Sequence, residues 1–416
     1  MSSSNDRSSP RNAHRAGDFS RDARGRTLAA PPILQYGFRP FFFLGALHAG
    51  VAIPVWLCVY FGHASLPSPF AGMQWHAHEM IFGYLGAVIA GFVLTAVPNW
   101  TGRLPLSGRP LAVLASLWIA GRIACLLSPD PALAMLADLA FPAVLAFAIW
   151  REVLAGRNWR NVPVALMITL FGLANATDHL ANLGFVAGDL GQRLALGVAA
   201  MLISLIGGRI VPSFTRNWLA KRRSDVLPAP FGNLDKAALA MTAAGGAGWI
   251  ALPGSALTGT VLLAAGTLLA LRLLRWRGAL AVSEPILLVL HLGYGWLAAA
   301  LFLLGASMLS PAFPAASAIH ALTAGAIGTM TLAVMTRASL GHTGREIVAD
   351  RYVVAMYALV TAGAVARVAA PFSADWYLPL IAAGGGLWSA GFLLFALRFA
   401  PILWGRRLAG QVGQGA

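Results

Sequence analysis

The chain has 416 residues, a formal net charge of +15 and a mean hydropathy of +0.70, with 58% hydrophobic and only 11% charged residues. That balance excludes a water-soluble globular protein, in which about a quarter of residues are charged. The 30 Lys and Arg residues lie in short clusters between apolar runs rather than on one basic face, which excludes nucleic acid as the partner and leaves the lipid bilayer. Only helices or closed barrels satisfy their backbones in lipid, and uninterrupted runs of roughly twenty apolar residues specify helices.

Residues 1–36 are rich in Ser, Arg, Asn and Asp and hold His14; they predict a disordered cytoplasmic tail without the apolar core of a signal peptide. A polytopic membrane domain is expected over 37–400, followed by a short cytoplasmic tail over 401–416. Apolar runs fall near 41–61, 77–98, 110–128, 131–150, 162–183, 190–211, 236–253, 255–274, 285–306, 312–336, 352–370 and 376–399. The fold class is therefore an all-α membrane protein of about twelve spans, the pair at 236–253 and 255–274 being the weakest.

Charge sets the orientation. The even-numbered connections carry Arg103 and Arg109, then Arg151, Arg157 and Arg160, then Arg209 to Lys236, Arg272 to Arg277, and Arg337 to Arg351. The odd-numbered ones, such as 62–75, 129–130, 307–311 and 371–375, are nearly free of Lys and Arg, so both termini are expected in the cytoplasm. Arg122, Arg193 and Arg367 are exceptions at the outer ends of spans. Cys58 and Cys125 lie inside apolar runs and read as buried, inert thiols. Phe41-Phe42-Phe43, Trp75, Trp100, Trp218 and Trp404 lie near span ends and read as interfacial anchors.

An internal repeat links the second and tenth spans. His78 is followed by Gly83, Gly86 and Thr101-Gly102-Arg103; His320 is followed at the same offsets by Gly325, Gly328 and Thr343-Gly344-Arg345. Upstream, His48 and His291 occupy similar Leu-His-x-Gly settings. The copies are offset by eight spans, which permits three pseudo-repeated units of four spans with a degenerate middle unit.

An intramembrane His is costly and marks function by default. Neutral imidazole ligates haem iron, copper or zinc without a buried charge. The registered pair His78 and His320 is the candidate for haem axial ligation, with Arg122, Arg193 and Arg367 as candidates for the haem propionates. His76 and His78, two residues apart, point to different helix faces and can serve adjacent sites. His76, His179, His291 and His342 are candidate metal ligands, and Glu79 and Asp178 are candidate proton carriers or orienting carboxylates. His48 reads as a packing residue and His63 as a loop residue. Asp138 lies within a span and can pair with an outer arginine. Walker, GxSxG, HExxH and dinucleotide-binding patterns are absent in a suitable context.

Longer motifs carry a resemblance. Gly37-Phe-Arg-Pro-Phe-Phe42, Trp75-His-Ala-His-Glu-Met80, Ala90 through Arg103, Gly207-Gly-Arg-Ile-Val-Pro-Ser-Phe-Thr-Arg-Asn-Trp218 and Thr329 through Arg345 resemble the NnrS family over about residues 34–350. The resemblance implies a bacterial inner-membrane protein carrying haem b and copper and tied to nitric oxide and nitrosative stress. The histidines that match the family's motifs are His76, His78, His179, His291, His320 and His342; His48 does not. The layout is also similar to that of the haem–copper oxidases, whose twelve spans form three four-helix arcs, though the oxidases' other histidine motifs are absent. Two functions follow as expectations. The first is a protein that binds or converts nitric oxide or nitrosyl complexes, with an electron donor yet to be identified and enzymatic turnover left open. The alternative is a metal- or small-molecule transporter that uses intramembrane histidines and carboxylates.

Overall fold

The computed structural model describes residues 29–186 and 188–408, so positions 1–28, His14 among them, and 409–416 of the expected tails lie outside it. Pro32–Leu34 form one helical turn before the first long helix. Twelve long helices follow: α1 (Phe38–Tyr60), α2 (Gly72–Pro98), α3 (Arg109–Leu127), α4 (Pro131–Ala155), α5 (Trp159–Asn182), α6 (Leu190–Lys221), α7 (Asn233–Ala251), α8 (Ala256–Leu274), α9 (Pro285–Leu309), α10 (Ala315–His342), α11 (Arg351–Phe372) and α12 (Tyr377–Trp404). Eleven are long and apolar enough to cross a membrane. The other is α7, whose first turn holds Asn233, Asp235 and Lys236. There is no strand among the described residues. The last helix passes residue 400 and ends at Trp404.

The outer helices form three arcs around a centre: α3–α4–α5, α7–α8–α9 and α11–α12–α1. α2, α6 and α10 lie inside the arcs and join them, α6 touching α5 and α7, and α10 touching α9 and α11. The apolar windows of α2 and α10 are 83% and 67% buried, against 39% for α3 and α4. Arg39 at the start of α1 fastens the first helix to the last: its Nη1 donates to the carbonyls of Leu403 and Gly405 at 2.8 and 2.7 Å. These are carbonyls a helix end leaves unsatisfied, and a cation suits the negative end of the α12 dipole.

The three central helices share a break. A wide π turn occupies Glu79–Leu85 in α2, Ile203–Gly207 in α6 and Ala321–Ile327 in α10, each followed directly by a glycine: Gly86, Gly208 and Gly328. In α2 and α10 the seven-residue turn begins immediately after His78 and His320, so the structure keeps the register of the sequence repeat. The middle unit keeps the break and loses the histidine. Gly102 and Gly344, the glycines of the two Thr-Gly-Arg motifs, have φ of 69° and 75° just past their helix ends; the non-glycine Arg223 takes φ 56° past the end of α6. Positive φ is the usual exit from a helix, and glycine adopts it without a Cβ clash.

Two readings of the anchors and thiols change. Phe41, Phe42 and Trp75 are core residues, not interfacial anchors. Phe41 packs on Phe141, and a Cβ on Gly91 would come within 2.7 Å of the Phe42 ring, so glycine makes the notch that admits it. Trp404 does stay exposed. Cys58 is exposed rather than buried, and Cys125 is buried but not isolated.

Candidate metal centres

The end of the bundle with Arg-poor connections, called the outer end, carries two donor sets on opposite sides of α2. The helix has begun by Gly72. Residues 76 and 78 are therefore about 200° apart around its axis, from the roughly 100° per residue of an α-helix, and face different neighbours.

His78 faces α3, α4 and α5 and is fully buried. Its Nδ1 lies 2.8 Å from Asp178 Oδ2, and its Nε2 lies 3.1 Å from Asp138 Oδ2 and 3.7 Å from Cys125 Sγ. His179 Nε2 approaches the same Asp138 oxygen at 3.1 Å, and Asn175 Nδ2 donates to it at 2.9 Å. Phe70 stacks on the His78 ring at 4.4 Å and closes the set from outside. His78, Cys125, Asp138 and His179 each offer one ligand atom, all within 4.8 Å of one another. A tetrahedral zinc-like site with bonds of about 2.0–2.3 Å spaces its donors by about 3.3–3.8 Å. Shifts of about 1 Å would draw these four around an ion.

The electrostatics ask for a cation. Arg122 Nη1 donates to Glu79 Oε1 at 2.8 Å, and its Nη2 donates to Asp138 Oδ1. His48 Nε2 lies 2.8 Å from Glu79 Oε2. Glu79, Asp138 and Asp178 are all buried, and Arg122 is the one guanidinium among them. Three buried carboxylates against one guanidinium leave an excess of negative charge that lipid surroundings do not tolerate. If Asp178 accepts the Nδ1 proton of His78, the Nε2 lone pair faces the Asp138 carboxylate. A proton or a metal ion must lie between them. The set Cys, His, His and Asp suits zinc or copper(I).

The second set lies across α2. His76 and His320 line one cavity of about 670 Å³ of empty volume, counted to its open mouth, with Trp56, Trp388 and Arg367. His320 Nδ1 is 2.7 Å from the carbonyl of Ala316, which fixes the N–H there and frees Nε2 as a ligand. His76 stacks on Trp56 at 4.1 Å, and its Nδ1 is buried with no partner. Arg367 Nη1 is likewise buried with no partner.

The structure thus does not bring His78 and His320 together. The repeat places them at one register, but His78 turns toward α4 and α5, where both its nitrogens are engaged, and His76 takes the position shared with His320. Of the propionate candidates, Arg122 is consumed by Glu79 and Asp138, Arg193 pairs with Asp189, and Arg367 is free in the cavity. The metal candidates also separate. His179 joins His78. His291 lies toward the inner end of the bundle, its Nε2 2.9 Å from Thr215 Oγ1. His342 lines a different cavity at that end. Glu79 holds Arg122 and His48, while Asp178 orients His78.

Cys125, Asn175 and His48 carry more of the site than the sequence suggested. Cys125 is three residues from Arg122, and Asn175 four from His179, so each shares a helix face with a recognised site residue. That spacing was the available signal. His48 shows none, since its link to Glu79 depends on Gly83, where a Cβ would stand 2.8 Å from His48 Nε2 and 2.9 Å from Glu79 Oε2.

No curated protein matches the chain. The chain belongs to the NnrS family: the family model, described as NnrS protein, matches residues 32–407.

Proposed function

We propose that this NnrS family member is a haem- and copper-binding protein of the bacterial inner membrane that binds or converts nitric oxide or nitrosyl complexes and so protects against nitrosative stress. The observation that carries this reading is the pair of donor sets divided by α2, one rich in Cys, His and Asp, the other holding two free imidazole nitrogens beside an unpaired arginine.

The donor chemistry fits the two groups. His76 and His320 would hold haem b, and Arg367 would satisfy a propionate, since a buried guanidinium nitrogen without an acceptor is costly. His78, Cys125, Asp138 and His179 would hold copper as copper(I), which thiolate and imidazole favour. When bound, haem and copper would supply one-electron couples and a metal with affinity for nitric oxide. The chain's own residues do the rest. Asp178 orients His78, and the Ala316 carbonyl orients His320. Phe70 covers His78 and excludes water. An apolar crevice between α2, α6 and α10, lined among others by Leu85, Val88 and Met330, admits a small uncharged gas.

The test is growth of a deletion strain under a nitric oxide donor, complemented by wild type or by His76→Ala and His320→Ala. Growth equal to the parent, together with no spectral response of the purified protein to nitric oxide, would overturn the reading. A colourless, metal-free protein would favour a metal- or small-molecule permease instead.

A further inference from the structure

At the opposite, inner end a larger cavity opens between α2, α5, α6 and α10, with about 2010 Å³ of empty volume counted to its mouth. The charged and titratable residues that line it are Arg160, Arg209, Arg337 and His342; no carboxylate lines it. Its remaining walls are largely apolar, Phe42, Phe92, Phe214 and Ile210 among them.

The arginines here differ from those elsewhere in the bundle. Arg39, Arg122 and Arg272 are buried, and each is held by protein acceptors; Arg272 donates to Asp235 at 2.7 Å and to the Ser204 carbonyl and Tyr294 hydroxyl. Arg209 and Arg160 are exposed and have no hydrogen bond or ion pair with any described residue; Arg337 is half-buried, with the ring of Phe214 3.8 Å from its guanidinium and the charge of Glu284 and hydroxyl of Tyr357 within electrostatic reach. Basic residues at the inner ends of spans ordinarily face lipid headgroups. Arg209 directly follows Gly208 at the central break of α6 and, with Arg337 on α10 and Arg160 at the start of α5, lines the cavity instead. An anion entering from the inner side would meet all three guanidiniums.

The cavity also has a tail. Phe92, Ile206, Ile210 and Val334 line both it and the apolar crevice between α2, α6 and α10. That crevice shares Leu85 with the outer cavity and carries no charged residue. A space with three guanidiniums at one end and an extension that is apolar but for Thr331 matches a ligand with an anionic head and a long hydrocarbon chain.

We propose that the inner cavity binds a long-chain anionic amphiphile, its carboxylate or phosphate head held by Arg160, Arg209 and Arg337 and its chain lying in the crevice between the three central helices. Bidentate pairing of guanidinium with carboxylate or phosphate supplies the recognition, and burial of the chain supplies much of the affinity. The head site stands apart from the metal centres, since Arg160, Arg209 and Arg337 belong to neither donor set; the chain would share its crevice with the route proposed for the gas, which dissolves in hydrocarbon.

The test uses full-length protein stripped of lipid in a neutral maltoside detergent. Binding of radiolabelled palmitate and of phosphatidylglycerol is measured, with inorganic phosphate as competitor. Saturable one-to-one binding is expected for at least one amphiphile, and the tighter of the two identifies a free fatty acid or a lipid as the source. Arg209→Gln and Arg337→Gln should each weaken it about tenfold, the worth of a charge-assisted hydrogen bond. Arg209→Lys should retain more than Arg209→Gln, and Arg103→Gln, on the exposed surface, should change nothing. Should Arg209→Gln fail to fold, the same loss is required of Arg160→Gln and Arg337→Gln. Absence of binding by wild type, unchanged binding in the arginine variants, or displacement by phosphate at the palmitate concentration would each overturn the proposal.

Discussion

His78 Nδ1 and Asp178 Oδ2 meet at 2.8 Å across two helices, although one hundred residues separate them in the chain. This contact decides the direction of the His78 ring. It leaves Nε2 to Asp138 and Cys125, and it takes His78 out of the cavity where His76 and His320 lie. The two histidines of Trp75-His-Ala-His-Glu-Met80 therefore serve two sites.

Copper should bind where Asp178 points His78. We expect His179→Ala and Cys125→Ala to abolish stoichiometric copper(I) in the purified protein, measured by elemental analysis and competitive titration. Asp178→Asn should weaken affinity about 10–100-fold, as loss of an orienting partner does. His291→Ala should leave it unchanged. Retention of copper in both ligand variants would remove this site.

Arg122 pairs with two buried carboxylates, Glu79 and Asp138, and removing it leaves both without their cationic partner. Arg122→Met should cost about 3–5 kcal/mol of stability, the size found for broken buried ion pairs. Adding Glu79→Gln and Asp138→Asn to Arg122→Met should recover part of that loss. Thermal unfolding in detergent, followed by helical circular dichroism, reads both. A melting curve for Arg122→Met that overlays wild type would contradict the charge balance drawn here.

Asp350 caps α11 by accepting the N–H groups of Tyr352 and Val353, and it pairs with Arg398 at 2.7 Å. Burial works against its charge, but the Val353 N–H and the Arg398 guanidinium win and hold its carboxyl below the ordinary value of 3.8. A depressed carboxylate contributes stability above its unfolded-state value and loses it as pH falls through the folded value. Asp350→Ala should therefore cost about 0.5–2 kcal/mol at neutral pH, and the gap to wild type should close below pH 3.8. An unchanged gap in acid would show that the charge is not the cause.

Reporter fusions after residues 105, 155, 225, 278 and 345 should read cytoplasmic, and fusions within 64–72 and near 373 periplasmic. The polar first turn of α7 makes it the helix on which the later half depends. If α7 does not cross, the fusion after 278 reverses, and so do those at 345 and 373.

Much of the fold was legible because a span announces itself by length and hydropathy, and because arginines recur on alternate connections. The registered His, Gly and Thr-Gly-Arg positions revealed the repeat of the second and tenth spans, but not the break that follows His78 and His320. The third break in α6 was also hidden, since Leu202 stands before it and no histidine marks it. Side-chain direction was the limit at the site. Sequence spacing separated His76 from His78, but it could not say which of the two faces α10, because that depends on Asp138 and Asp178 arriving from α4 and α5. Cys125 was misread for the same reason: a thiol in an apolar run looks inert until His78 is placed 3.7 Å away.

The division of the two histidines is tested most directly by the visible spectrum of the purified protein and three variants. We expect a Soret band with bis-imidazole character in wild type, lost or strongly altered in His76→Ala and in His320→Ala, and kept in His78→Ala so long as the protein folds. Loss of the band in His78→Ala with its retention in His76→Ala would contradict the assignment and return the haem to the other face of α2.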